Sequence, residues 1–275
     1  MMDGTVTLAK TLQRSHGTAD VGFRANALDR LYQSGAAKAL LPRSYGAAQE
    51  VVLVNTAGGI TGGDAYQYRA VADASRVMVT TQAAERAYRS SNADIASMDV
   101  QLAARNGGAL FWLPQETILF DESRLGRRIE IDLDADSEIL ALESLVFGRH
   151  AMGERLQNCH FTDRWRIRRD GQLVHAEALS IQDDLPLLLD SAAGAGGAQM
   201  AATLVYVGPR LEQVHADLAA VLPSLASRAA CSAWQGRLVL RLLAAETMTG
   251  KADLSHILHS LRGQQVPRVW HLCGR

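Results

Sequence analysis

The sequence predicts a mainly β protein of stacked, largely antiparallel strands, with a few helices in its C-terminal third. Three observations carry that expectation. Short apolar runs of period two, broken by Gly, Asp and Asn, recur from about residue 48 to 180. An Asp170-Gly171 pair joins two such runs with the φ > 0 tolerance of a tight hairpin. Helical spacing becomes sustained only in the last third.

In chain order, Val51 to Val54 is an apolar strand. Ala96, Met98, Val100 and Leu102 alternate, as do Ile129, Ile131 and Leu133 around Arg128, Glu130 and Asp132, so each strand has one buried face. Arg127 to Ile131 and Ser137 to Leu142 flank an acidic turn at Asp134 to Asp136, which reads as a further antiparallel connection. Phe161, Trp165 and Ile167 alternate with Thr162, Arg164, Arg166 and Arg168, then run through the hairpin into Leu173 to Leu179. The Ala/Gly-rich stretch 190–202 is a soft boundary in what otherwise reads as one domain over residues 1–275. Beyond it come a strand at Thr203 to Val207, helical composition from Leu211 to Ala230 interrupted by Pro223, and a strand at Gly236 to Leu243. The last helix spans Ala252 to Leu261, with Leu254, Ile257, Leu258 and Leu261 on one face.

The 275 residues are 48% hydrophobic and 5% aromatic, with 28 Lys+Arg against 29 Asp+Glu. A chain this long buries roughly 70–75% of its unfolded surface and needs no disulfide or metal staple. Scattered basic residues and few rings argue against nucleic acid, which asks for a basic patch or a stacking platform. No stretch approaches the roughly 18 apolar residues of a membrane span, and Met1 to Arg14 lacks a secretion signal, so a cytoplasmic location is expected. Cys159, Cys231 and Cys273 are far apart and are expected to be free thiols.

The segment from Thr56 to Asp64 follows a strand, as a phosphate loop would, yet Gly63 precedes Asp64 where Lys and a hydroxyl residue are required. Gly250-Lys251 lacks the upstream glycine and the hydroxyl, and Gly194-Ala195-Gly196 meets Gln199 in place of a third glycine. The chain is therefore not expected to bind nucleotide. Gly58, Gly59, Gly62 and Gly63 read as a structural turn closed by Asp64, either through Asx bonding or with Asp64 left to contact a ligand. No His-Glu-x-x-His or Gly-x-Ser-x-Gly occurs, and His175-Ala176-Glu177 lacks the Pro-Cys-x-x-Cys of a deaminase zinc site. His256 and His259 lack a third ligand nearby, and no tight metal site is expected. Between Pro114 and Glu154, the carboxylates Glu116, Asp121, Glu143 and Glu154 are embedded in apolar strands, with Arg89 and Arg149 as expected partners. They are either structural ion pairs or a polar conduit or docking surface.

Five blocks together resemble the family of urease accessory protein D, called H in some bacteria. They are Gly-Gly-Ile-Thr-Gly-Gly-Asp at 58–64, Thr80-Thr81 followed by Tyr88-Arg89-Ser90, Leu-Pro-Gln-Glu-Thr-Ile-Leu-Phe at 113–120, Phe-Gly-Arg-His-Ala-Met-Gly-Glu at 147–154, and Pro267-Arg268-Val269-Trp270. Two positions depart from the family pattern: Glu85-Arg86 stands where a Lys is common, with Arg86 a replacement cation, and Ala57 replaces a proline. The resemblance implies a β-helix-like stack of strands and a non-catalytic maturation factor. Such a factor binds apo-urease and, with accessory proteins F and G, supports GTP-dependent nickel delivery and active-site assembly, GTP being bound by partner G and not by this chain. It further implies that nickel passes through transiently without a tightly bound cofactor. On that reading the path would use Asp64, Glu116, Asp121, Glu143, Glu154 and Glu177, lined by Thr80 and Thr81 and positioned by Arg89 and Arg149. The alternative is a β-rich protein-binding module with no metal role.

Overall fold

The structure, a computed structural model, describes residues 13–43, 46–182, 185–261 and 266–271. Cys273 lies outside them. The chain winds between two facing sheets. After β1 (His16–Arg24), β2 (Ala27–Gly35) and β3 (Ala37–Leu40), it passes through β4 (Gln49–Asn55), β5 (Ala65–Asp73), β6 (Arg76–Thr81), the short β7 (Glu85–Ala87) and β8 (Ala96–Arg105). It continues through β9 (Ala109–Trp112), short β10 (Thr117–Leu119), β11 (Ser123–Leu133), β12 (Glu138–Phe147), β13 (Cys159–Arg169) and β14 (Gln172–Ile181). Sheet one has the order β14-β13-β11-β8-β5-β1-β2.

The C-terminal part holds α1 (Leu185–Asp190), β15 (Met200–Val207), α2 (Leu211–Val221), β16 (Arg228–Trp234), β17 (Arg237–Ala244), α3 (Thr247–Ser260) and α4 (Arg268–His271). Sheet two is β16-β17-β15-β12-β9-β6-β4-β3, with β7 and β10 pairing beside it. β15 pairs with β12, so strands on both sides of the Ala/Gly stretch share one sheet.

The mainly β, stacked architecture is the one expected, and its pairing is mixed. The central strands run parallel, β1-β5-β8-β11-β13 in one sheet and β4-β6-β9-β12 in the other. Antiparallel strands close both ends, including the β13-β14 hairpin through Asp170-Gly171. The turn at Asp134 to Asp136 is a corner between sheets and not a hairpin, because its carboxylates bond the corner of the neighbouring coil. Asn106 N–H donates to Asp134 at 2.8 Å, and Gly107 N–H donates to Asp136 at 3.0 Å. Asn106 takes the left-handed conformation, φ 51°, and its amide reaches Asp73 in the next corner at 2.7 Å. Corner stacks on corner, and the strands between them must then run parallel.

Two cores result. One fills the space between the sheets, and the other lies between the outer face of sheet two and helices α2, α3 and α4. β12 separates them and is buried along its whole length. Its near-continuous apolar sequence is what a strand covered on both faces requires. The helical reading of Leu211 to Ala230 holds only to Val221 and a short turn at Leu222–Ser224, because Arg228–Trp234 folds back on β17 as a strand. His256 and His259 are both exposed on α3.

Candidate functional site

Three inward-facing strand positions carry charge where parity demands an apolar side chain. Arg127 follows Leu125 and precedes Ile129 on the buried face of β11, Asp163 sits between Phe161 and Trp165 on β13, and Glu143 between Ala141 and Leu145 on β12. All three are buried. Arg127 donates to both oxygens of Asp163, at 3.1 and 2.6 Å, and to Glu143, while Trp112 Nε1–H donates to Glu143 at 2.8 Å. One guanidinium thus serves two carboxylates. Burial and the Asp163 charge push the Glu143 carboxyl above its ordinary range, opposed by Arg127, and the flanking carboxylates hold Arg127 firmly protonated.

From this centre a polar row crosses sheet two in register: Glu143 is opposite Thr203 on β15, which is opposite Arg241 on β17. Arg241 donates to Thr203 Oγ1 at 2.6 Å and pairs with Glu177 on β14. His175 Nε2 lies 3.8 Å from Glu177. A cavity of about 80 Å³ is bounded by Arg127, Glu143 and Asp163 within and by Glu177 and Arg241 without.

The string also runs the other way. Arg127 donates to Thr117 Oγ1 at 3.3 Å, and Thr117 is opposite Glu85 in the β10-β7 pair. Glu85 accepts from Asn55 Nδ2 at 3.2 Å, and Asn55 accepts from Tyr66 at 2.8 Å. Tyr66 shares a 2.7 Å bond with Ser15, whose N–H donates to Asp64 at 2.7 Å. Beside Glu85 lies a second cavity of about 110 Å³ lined by Thr81 and Tyr68 among others. Desolvation pushes Glu85 up to about 7.

Of the residues singled out in the sequence, the string contains Asp64, Glu143 and Glu177, with Thr81 beside it. Asp64 accepts backbone N–H groups from Ser15 and Thr61 and so organises the glycine turn. Within that turn, a Cβ on Gly62 would lie 2.3 Å from the Asp94 carbonyl oxygen. The remainder lie apart. Thr80 bonds the Leu113 carbonyl on the helix side of sheet two. Glu116 pairs with Lys251 of α3 at 2.8 Å, and Asp121 accepts from the N–H groups of Gln157 and Asn158. Arg149 pairs with Glu154 at 2.9 Å, as one of the expected combinations, whereas Arg89 takes Glu122, its neighbour across the β7-side corner.

Sequence reasoning missed Arg127, Asp163, Trp112, Thr117, Asn55, Tyr66, Thr203 and Arg241, and met Glu85 only as a departure from a pattern. Arg127 and Asp163 had a readable signal, since each breaks the apolar parity of its strand. Among the described residues, no three His, Cys, Asp or Glu side chains converge as a metal site. Cys159 and Cys231 are free thiols, and burial raises the Cys159 thiol to about 12. Among the described residues no helix is long and apolar enough to cross a membrane.

Comparison with known proteins gives the family of the chain. The family model described as UreD urease accessory protein matches residues 15–271. Urease accessory protein UreD of Rhizobium leguminosarum bv. viciae is 42% identical over 98% of this chain and 99% of its own length. Its counterparts from Xanthobacter autotrophicus and Paracoccus denitrificans are 43% and 40% identical, over 94% and 95% of this chain and 90% and 94% of their own lengths. With the family model matched across nearly the whole described chain, this protein belongs to the UreD urease accessory protein family.

Proposed function

We propose that the chain is a non-catalytic scaffold that binds apo-urease in the cytoplasm and, with accessory proteins F and G, supports delivery of nickel to the urease active site. GTP is the business of partner G. The observation that carries this reading is the interior polar string, above all Glu143 and Asp163 sharing Arg127 at the wall of a cavity that reaches Glu177. Ni²⁺ accepts oxygen as well as imidazole ligands, and a route of carboxylates, hydroxyls and water holds it weakly enough for passage. Two carboxylates share one guanidinium there, and an entering cation favours the ionised form of Glu143 that burial opposes.

The test is co-expression of Glu143→Gln and Glu177→Gln with the urease structural genes and the other accessory proteins, with urease activity and pull-down assayed in parallel. The reading expects both complexes to assemble and both activities to fall. Full activation by both variants sinks the passage and leaves a protein-binding module with no metal role. Asp64 is a poor probe, because its side chain also holds the turn together.

A further inference from the structure

At one end of the molecule the sheets part, and a groove of about 470 Å³ opens between the inner faces of β14 and β17. His175, Glu177, Arg237, Val239 and Arg241 line it, with Leu173 and Trp234 at the rim. Two of its nitrogen atoms make no hydrogen bond among the described residues, although His175 Nε2 lies 3.8 Å from Glu177. His175 is 6% exposed with Nε2 unbonded, and Arg237 Nε is buried and likewise unbonded. Buried polar atoms are nearly always satisfied, so two orphans facing one groove point to a missing group. Charge says which kind. Arg241 is paired with Glu177, which leaves Arg237 as the groove's excess positive charge, so the groove favours an anion, and a guanidinium fork suits the planar oxygen pair of a carboxylate.

The rim says where that carboxylate comes from. Leu173 is 55% and Trp234 41% exposed, and the Arg237 guanidinium lies 4.4 Å from the Trp234 ring centroid, holding it in place. An exposed Trp stacked on an Arg is the residue pairing in which protein-binding hot spots are enriched, and a small free anion has no use for the apolar surface beside it. Glu177 and Arg241 line both the groove and the interior cavity, so the groove covers the outer end of the polar string.

We propose that this groove docks a carboxylate-bearing, apolar-flanked segment of apo-urease, bonded by Arg237 and His175 with the flanking side chain against Trp234 and Leu173. The assignment to urease rests on the passage reading above, since cargo leaving by this end must meet the protein that receives it.

The probe is purified apo-urease, titrated against the chain in complex with accessory protein F by biolayer interferometry at two salt concentrations. Arg237→Gln and Trp234→Ala should each weaken urease binding at least about tenfold while leaving F bound. Arg237→Lys, which keeps the charge but lacks the fork, should weaken it as well, and raising salt should cost the wild type more than Arg237→Gln. Wild-type urease affinity in Arg237→Gln and Trp234→Ala overturns the proposal, as does loss of F with urease retained. Binding is measured without nickel, so failure of the passage, seen as full activation by the Glu143→Gln and Glu177→Gln variants, is distinguishable from failure of the dock.

Discussion

At Arg127 a single guanidinium answers for two buried carboxylates, and that imbalance governs what substitution does there. Arg127→Met leaves Glu143 and Asp163 facing each other without a counter-charge, and the expected loss is about 3–5 kcal/mol, read from the urea midpoint. Replacing all three by apolar residues of similar volume should recover most of it, because the cost lies in the uncompensated charge. Glu85 makes a complementary case. Its carboxyl titrates at about 7 in the fold against 4.5 ordinarily, so between those pH values the unfolded chain is ionised while the folded one still holds its proton. Wild-type stability should fall across that window and level off above it. Glu85→Gln removes this residue's share of the dependence, leaving that of Glu143, and should exceed wild type by about 3 kcal/mol at pH 8, with no difference near pH 4, in thermal melts across pH. Arg127 and Asp163 were legible in principle from strand parity. Asn55 and Tyr66 were not, since nothing in their local sequence says that a side chain from another coil meets them.

The elements show the same division between local and distant causes. The hairpin at Asp170-Gly171 was legible because both strands and their turn are contiguous. β2 was not, because every residue but Ser34 is exposed and no buried face imposes a period. The corner at Asp134 to Asp136 misled for a nonlocal reason, its carboxylates being spent on Asn106 and Gly107. Gly250, within α3, is a helix-weakening residue whose justification is tertiary. A Cβ there would lie 2.7 Å from Met200 Sδ and 2.8 Å from Ala244 Cβ, so the glycine lets α3 sit close against sheet two and brings Lys251 to Glu116. Alanine gains about 1 kcal/mol of helix propensity and loses about 1–3 to overpacking. Gly250→Ala should therefore lower stability by about 1 kcal/mol and speed amide hydrogen exchange in α3 ahead of the strands.

Across the whole molecule, strand pairing, parallel on one side of Arg127 and antiparallel on the other, turns isolated inward polar residues into a continuous feature. The antiparallel β12-β15-β17 ladder sets facing side chains in register, so Glu143, Thr203 and Arg241 form a row although 98 positions separate the first from the last. If the row is a route, obstructing it should matter more than removing any one ligand. Ala201 offers the means. It lines the 80 Å³ cavity, packs toward the inter-sheet core and makes no side-chain hydrogen bond that substitution would lose. A phenylalanine there occupies the space between Glu143 and Glu177 while leaving every charge of the string in place. Filling a cavity of this size costs little stability where the ring finds room, and about 1–3 kcal/mol where neighbours must shift. Ala201→Phe should therefore fold, bind urease and F as wild type, and yet activate urease poorly. Ala201→Ser, which adds no bulk, should activate normally. Equal activation by the two variants would show that nickel does not travel between the sheets, and the buried charges would then be structural ion pairs alone.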